Sequence, residues 1–295
     1  MSAFVLAHLT DPHLSPLPPP RIDELLGKRA LGYFNWRRNR AAHHSRERVD
    51  ALVADLKAQQ PDHIAVTGDL VNIALDAEFA PASAWLKAVG APRDVTLVPG
   101  NHDAYVRATL ARHTADWADY QRGDGGGAVT FPFLRRRGPL ALIGASTALP
   151  TGPLLATGRL GDDQRTRLAV MLDAIEPDAF RVLLIHHPLR SLKGWHKRLT
   201  DSAALIDLIR RHRVDLVLHG HDHRHSLMWF DGPHGRTPAI GAPSASAVSD
   251  GRDDPAAYNL FSIAREGAVW RCDWRRRGFG AAGETIHELK REPLA

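Results

Sequence analysis

Five short clusters of histidine, aspartate and asparagine punctuate this chain. In order they are Asp11-Pro12-His13, Gly68-Asp69, Gly100-Asn101-His102-Asp103, His186-His187-Pro188 and Gly220-His221-Asp222-His223. Each follows a short apolar run. Carboxylate, imidazole and amide oxygens without sulfur suit Mn, Fe or Zn. Asp11, His13, Asp69, Asn101, His186, His221 and His223 are seven candidate ligands, and a single ion seldom takes more than six. Seven therefore point to two ions, with Asp69 as the candidate bridge. Two ions roughly 3.5–4 Å apart clamp the attacking and leaving oxygens of a phosphoryl displacement. A water shared between them ionises near neutral pH, giving a bridging hydroxide.

Such side chains converge only if folded elements bring their ends together. Ala3 to His8 reads as a buried strand. Arg46 to Gln59 has helical spacing, with Val49, Leu52, Val53 and Leu56 on one face. His63 to Thr67 is a strand, Asp76 to Ala88 a helix with Asp76 as its cap, and Val95 to Val98 a strand. Leu140 to Ser146, Arg181 to Ile185 and Val214 to Leu218 read as further strands. Asp162 to Ile175 and Ser202 to His212 alternate with them as helices. This is the strand–helix alternation of an α/β sheet, which gathers strand-end residues on one edge. Beyond His223, residues 227–230, 238–241, 258–264 and 268–274 suggest short strands of a closing antiparallel sheet. No repeat or linker appears, so residues 1–295 are read as one domain.

Composition bounds the rest. The chain has 295 residues, 44% apolar content and one cysteine, Cys272, which excludes an intrachain disulfide and is read as packed in a late strand. The first residues lack a basic region and a long apolar run, and no stretch reaches the ~20 apolar residues needed to span a bilayer. The expectation is a cytoplasmic protein. Net charge is +5. Between Arg21 and Arg48, eight basic residues stand against three acidic ones, an excess equal to that of the whole chain. Arg135-Arg136-Arg137 and Arg275-Arg276-Arg277 read as ordinary surface, so no stable nucleic-acid partner is expected.

The series Asp-x-His, Gly-Asp, Gly-Asn-His-Asp, His-x-Pro and Gly-His-x-His resembles the calcineurin-like metallophosphoesterase superfamily. The bacterial branch cleaving cyclic nucleotides and glycerophosphodiesters is the most similar, though Leu189 stands where many members have a second proline. The resemblance implies a four-layer α/β/β/α sandwich of two mixed sheets flanked by helices. It implies one metal held by Asp11, His13, Asp69 and His223, and another by Asp69, Asn101, His186 and His221. His102 would stand beside the substrate phosphoryl group as proton donor or charge stabiliser, oriented by Asp103. The first histidine of His186-His187 is the implied ligand and His187 the second choice. His219 is read as packed, and Asn72 as a cap for the next helix.

The expected activity is a dinuclear metal-dependent phosphodiesterase. Alternatives are a pyrophosphatase acting on a lipid-linked or other nucleotide diphosphate, and a phosphomonoesterase. Residues 16–44 are read as a cap insertion over the site. There Trp36, Arg37 and Arg38 join His225 as candidate substrate contacts, since rings stack on bases and arginine grips phosphate. The stretch 21–40 is also read as a peripheral membrane contact.

Overall fold

The computed structural model describes residues 3–248, 253–280 and 285–294. The first half alternates as the sequence predicts. Strands β1 (Phe4–Leu9), β2 (His63–Val66) and β3 (Val95–Leu97) are separated by helices α1 (Lys28–Asn35), α2 (Arg46–Ala58) and α3 (Asp76–Val89). Then come α4 (Leu110–Asp116), β4 (Phe133–Arg137), β5 (Leu140–Gly144), α5 (Asp162–Ala174), β6 (Phe180–Leu184), α6 (Ser202–Arg211) and β7 (Leu216–His219). The last strands are β8 (Ser226–Gly232), β9 (Gly235–Gly241), β10 (Ala257–Glu266), β11 (Val269–Phe279) and β12 (Ile286–Pro293).

Two six-stranded sheets result, ordered β12-β11-β10-β1-β2-β3 and β4-β5-β6-β7-β9-β8. Both are mixed. β1, β2 and β3 run parallel, as do β5, β6, β7 and β9, while the remaining pairs are antiparallel.

Alternation along each strand sorts side chains into three apolar layers. On β6, Val182 and Leu184 enter a central layer with Leu6, Phe261 and Trp274 of the opposite sheet. Leu183 between them turns outward to Leu168, Leu172, Leu205 and Ile209 of α5 and α6. On the far side, Val49, Leu52 and Leu56 of α2 pack on Val66 and Leu260. Three apolar layers between four structural ones make the α/β/β/α sandwich.

The late strands do not form a separate closing sheet. β8 and β9 extend the second sheet and β10 to β12 extend the first. The reason is that β10 is apolar on both faces. Phe261 and Ile263 enter the central layer, whereas Tyr258 and Leu260 face the helices. A strand buried on both sides belongs inside a layered stack.

Charge hid other features. β4 contains Arg135-Arg136-Arg137, yet Arg135 is buried rather than ordinary surface. Its guanidinium donates to the carbonyls of Arg122 (2.7 Å), Pro92 (2.7 Å) and Val95 (2.8 Å). β12 is a charged strand at a sheet edge, a common way to discourage edge pairing. Helix α3 is capped differently from expectation. Asp76 is its first helical residue and Leu75 its cap. The buried Glu78 carboxylate takes the backbone N–H groups of Ile73 (3.1 Å) and Leu75 (2.8 Å), and that of Asn72 as well.

One polar tie joins α2 to the first sheet. Asp55 accepts from Arg277 through both carboxylate oxygens (2.7 and 2.9 Å) and from Tyr258 Oη at 2.6 Å. The Arg277 hydrogen bond outweighs burial and holds the Asp55 carboxyl below its usual pKa. A carboxyl with depressed folded pKa contributes stability above its unfolded value, lost as pH falls through the folded one. Asp55→Ala is expected to lower the unfolding free energy by about 1–3 kcal/mol near neutral pH. In urea melts, the gap between wild type and variant should shrink as pH drops below about 4.

Candidate metal centre

The clusters lie just beyond the C-terminal ends of parallel strands. Asp11 and His13 follow β1, Asp69 follows β2, Asn101 follows β3, His186 follows β6, and His221 and His223 follow β7. Parallel sheets facing each other bring these ends to one edge. Turning the chain inward there costs regular geometry. Asp11 (φ 50°), His13 (36°), Asp69 (56°), His221 (70°) and His223 (51°) all adopt left-handed backbone conformations. Such conformations are unfavourable for residues with a Cβ and persist where the surroundings enforce them. Gly100 and Gly220 permit the approach. A Cβ on Gly100 would lie 2.1 Å from Asp69 Oδ1, and one on Gly220 2.3 Å from Asp11 Oδ2.

The side chains form two adjoining groups. Asp11, His13 and His223 make one, Asp69, His186 and His221 make the other, and His13, Asp69 and His102 form a third set spanning them. The outer ring nitrogens decide which way the inner lone pairs face. His13 Nδ1 lies 3.3 Å from Val71 O, and His223 Nδ1 lies 2.9 Å from Asp253 Oδ2. An N–H directed at each acceptor leaves Nε2 bare, and the two Nε2 atoms face each other at 3.3 Å. Asp11 Oδ1, 3.2 Å from His223 Nε2, is buried with no hydrogen-bond partner.

The second group repeats the device. His186 Nδ1 lies 2.6 Å from Thr67 O, and His221 Nε2 lies 2.9 Å from Lys197 O. His186 Nε2 then stands 3.2 Å from Asn101 Oδ1, 3.3 Å from His221 Nδ1 and 3.3 Å from Asp69 Oδ2. The same Asp69 oxygen is 3.8 Å from His13 Nε2, so it lies between the groups. Buried acceptors aimed at one another repel unless a cation sits among them. The donor set therefore fits metal ions: hard oxygen ligands together with imidazoles, each imidazole fixed from behind by a carbonyl or carboxylate.

Electrostatics divide the four rings: burial opposes charge on His223, but Asp11 and then Asp253 raise its pKa. Burial, then neighbouring histidines, hold His13 and His221 well below the usual histidine pKa, so both are neutral imidazoles. Burial opposes charge on His186, but Asp69 and Asp11 push its pKa up to about 10. That is a point of concentrated negative potential.

The residues around the centre depart from expectation. The Asp103 carboxylate makes no hydrogen bond to the His102 ring. That carboxylate accepts from the backbone N–H groups of Asp69 (2.9 Å), Leu70 (2.9 Å), Val71 (3.3 Å) and Gly100 (2.8 Å). It therefore clamps the two loops carrying Asp69 and Asn101. His102 is oriented instead by the Asn72 carbonyl through Nδ1, and its Nε2 accepts from Arg40 Nη1 at 3.1 Å. Burial, offset only in part by Asp69, lowers its pKa to about 3. A ring kept neutral with Nε2 occupied is poorly placed to donate a proton. Asn72 is not a helix cap, because Glu78 serves that end of the helix. Its amide donates to Leu14 O at 2.9 Å and ties the first loop to the second.

Among the alternatives, His187 spends both ring nitrogens elsewhere, on Thr147 Oγ1 (2.8 Å) and Ala156 O (3.2 Å). His219 is buried, with Nδ1 3.2 Å from Gly220 O.

A cavity of about 430 Å³ opens over the centre, lined by Asp69, Asn101, His102, His221 and His223. The segment 16–44 reaches its wall, though not through the expected residues. Trp36, Arg37, Arg38 and His225 are absent from the lining, whereas Asn35, Asn39, Arg40, His43 and His44 are present. Helical phase is the cause. Trp36 packs against the body, and Arg40, about one turn later, faces the same side. Arg37 and Arg38 turn outward to solvent, where Arg37 lies over the Tyr33 ring. Arg29 is buried, donating to Ile73 O at 3.2 Å, so it fastens the segment to the body.

Lys193, Lys197 and Asp253 complete the wall. They lie outside any cluster, so no sequence signal marks them. Burial, then Lys193, lowers Lys197 to about 8. His44 also lines the wall, its ring centroid 4.7 Å from that of His13, and the adjacent pair His43-His44 is the sequence signal that marks it.

The profile described as calcineurin-like phosphoesterase matches residues 4–225. A probable cyclic nucleotide phosphodiesterase of Synechococcus sp. is 26% identical over 248 residues, covering 81% of this chain and 85% of that protein. A crystal structure of a dimetal phosphatase from Danio rerio has a TM-score of 0.61 at 13% identity, covering 98% of this chain and 99% of that one. Purple acid phosphatase PPD1 from yellow lupin seeds gives 0.58 at 13% identity, covering 97% of this chain and 53% of that one. These two structures share the fold. The resemblance read from the motifs and the layered architecture expected from it are both borne out. With matching residues spanning all five clusters, this chain belongs to the calcineurin-like phosphoesterase family.

Proposed function

We propose that this metallophosphoesterase is a dinuclear phosphodiesterase, with Asp11, His13, Asp69 and His223 holding one metal and Asp69, Asn101, His186 and His221 the other. The observation that carries this reading is the convergence of buried, outward-anchored lone pairs around the shared Asp69 oxygen. Two bound Mn, Fe or Zn ions supply Lewis acidity and lower the pKa of the attacking water. The chain's own residues position and discriminate. Arg40 lies on the pocket wall, where its guanidinium would grip a phosphoryl oxygen. His102 would hold Arg40 in that pose through Nε2, stabilising charge through its neighbour rather than donating a proton. Residues 16–44 would then act as a substrate cap, with Arg40, His43 and His44 as its working face.

The diester preference draws support from the Synechococcus relative, whose name specifies cyclic nucleotide phosphodiesterase. A second reading, hydrolysis of a nucleotide diphosphate, is favoured by one feature. Arg40, Lys193 and Lys197 all line the pocket, offering several cationic contacts to a diphosphate even with Asp253 paired to Lys193.

Hydrolysis of bis(p-nitrophenyl) phosphate should be abolished by chelator and exceed that of p-nitrophenyl phosphate. A large preference for the monoester would remove the diester assignment. Asp69→Asn and Asn101→Ala should each eliminate turnover and reduce metal content by elemental analysis. His102→Ala should lower kcat about 10–100-fold with both metals retained, and loss of metal would refute its place outside the ligand set. Arg40→Ala should raise KM for nucleotide substrates about tenfold and leave metal content unchanged.

A further inference from the structure

We infer that the rim of the metal pocket is a docking surface for an anionic lipid bilayer. Three segments build the rim. Residues 25–46 bring Asn39 and Arg40 to the cavity wall, 145–161 bring Ala156, and 186–200 bring Lys193 and Lys197. They are tied together at the mouth. Lys28 Nζ on α1 donates to Thr151 Oγ1 (2.6 Å) and Leu155 O (3.0 Å), and Ala156 N donates to His196 O (2.9 Å).

Large apolar side chains protrude from all three. Leu26 is 74% exposed, Phe34 62%, Leu154 82%, Leu192 57% and Trp195 69%. None of the five lines the metal-site cavity, but each lies on a segment that reaches its wall through Asn35, Ala156, Lys193 or Lys197. A single exposed leucine needs no explanation, but five on adjoining segments do.

Charge selects the occupant. Residues 25–46, 145–161 and 186–200 contain eleven lysines and arginines and no aspartate or glutamate. The whole chain has 38 basic and 33 acidic residues, so these segments are richer in cations than the average, and the acid beside them on the wall, Asp253, pairs with Lys193 at 3.4 Å. Arg37, Arg38, Arg190 and Arg198 are exposed there. Protruding apolar groups among cations match the level of a bilayer where acyl chains meet acidic headgroups. No helix among the described residues is long and apolar enough to cross a membrane, so this contact is peripheral. Docked this way, the pocket opens towards the headgroups.

Co-sedimentation of the full chain with vesicles tests the surface. The probes are phosphatidylcholine alone and phosphatidylcholine with about a third phosphatidylglycerol. Binding to the anionic vesicles should be at least about tenfold tighter and should weaken as salt rises. Leu154→Ser combined with Trp195→Ser should lower it about tenfold, with the thermal unfolding midpoint and hydrolysis of soluble bis(p-nitrophenyl) phosphate retained. Equal recovery on both vesicle types, or undiminished binding of the double variant, would overturn the inference. So would a dimer in solution that the double variant converts to monomer, since the rim would then belong to a second copy. Sedimentation requires neither metal nor turnover. A vesicle-bound protein that hydrolyses no phosphoester would support the surface while refuting the function above.

Discussion

Acceptor atoms from five loops point at one small buried volume, and much of the local structure answers that constraint. Isolated, such an arrangement would spread apart, because burying unpaired carboxylate and imidazole lone pairs is costly. It is held by groups behind it. Val71 O, Thr67 O, Lys197 O and Asp253 each take an outer ring nitrogen and so aim the inner one. Asp103 grips four backbone N–H groups on two loops. Gly100 and Gly220 let those loops pass within contact of the carboxylates. Five left-handed residues at strand ends are the backbone's share of the cost. The layered core, rigid and dry, is what can sustain it.

The segment before α2 shows how a small rotation alters function. Trp36, Arg37, Arg38 and Arg40 are near neighbours in sequence, and composition alone favours the adjacent arginines. Once Trp36 packs inward, the turn carries Arg40 to the pocket and Arg37 and Arg38 to solvent. The same segment is fastened by buried Arg29 and by Lys28, so two residues that look like surface charge instead fix its pose. Arg135 teaches a related lesson inside β4, where a guanidinium serves the carbonyls of Arg122, Pro92 and Val95.

Legibility followed the physics of each element. β1, β2, β3 and β6 end in chemistry-bearing clusters after apolar runs, so both strand and site were visible at once. Helices α2 and α5 showed their spacing. β4 and β12 were hidden because their charged residues mask strand character, one by burying an arginine and the other by lying at an edge. The late strands were visible as strands but not as members of two sheets, since sheet membership depends on which partner covers each face. The pairing of Asp103 with His102 failed for a similar reason. Adjacent residues suggested contact, yet the loop's unpaired N–H groups made the stronger claim on the carboxylate.

The sequence by itself determined the donor set, its order along the chain, the alternating architecture and the family, because ligand type and strand periodicity are local properties. Only the tertiary structure decided which nitrogen of each histidine faces inward, that Asp69 lies between the two groups, that Asn72 and Arg40 hold His102, and that Lys193, Lys197 and His44 share the wall. Those outcomes depend on contacts between segments separated by tens to hundreds of residues. No local pattern encodes them, because each is settled by which neighbour satisfies a buried polar group first.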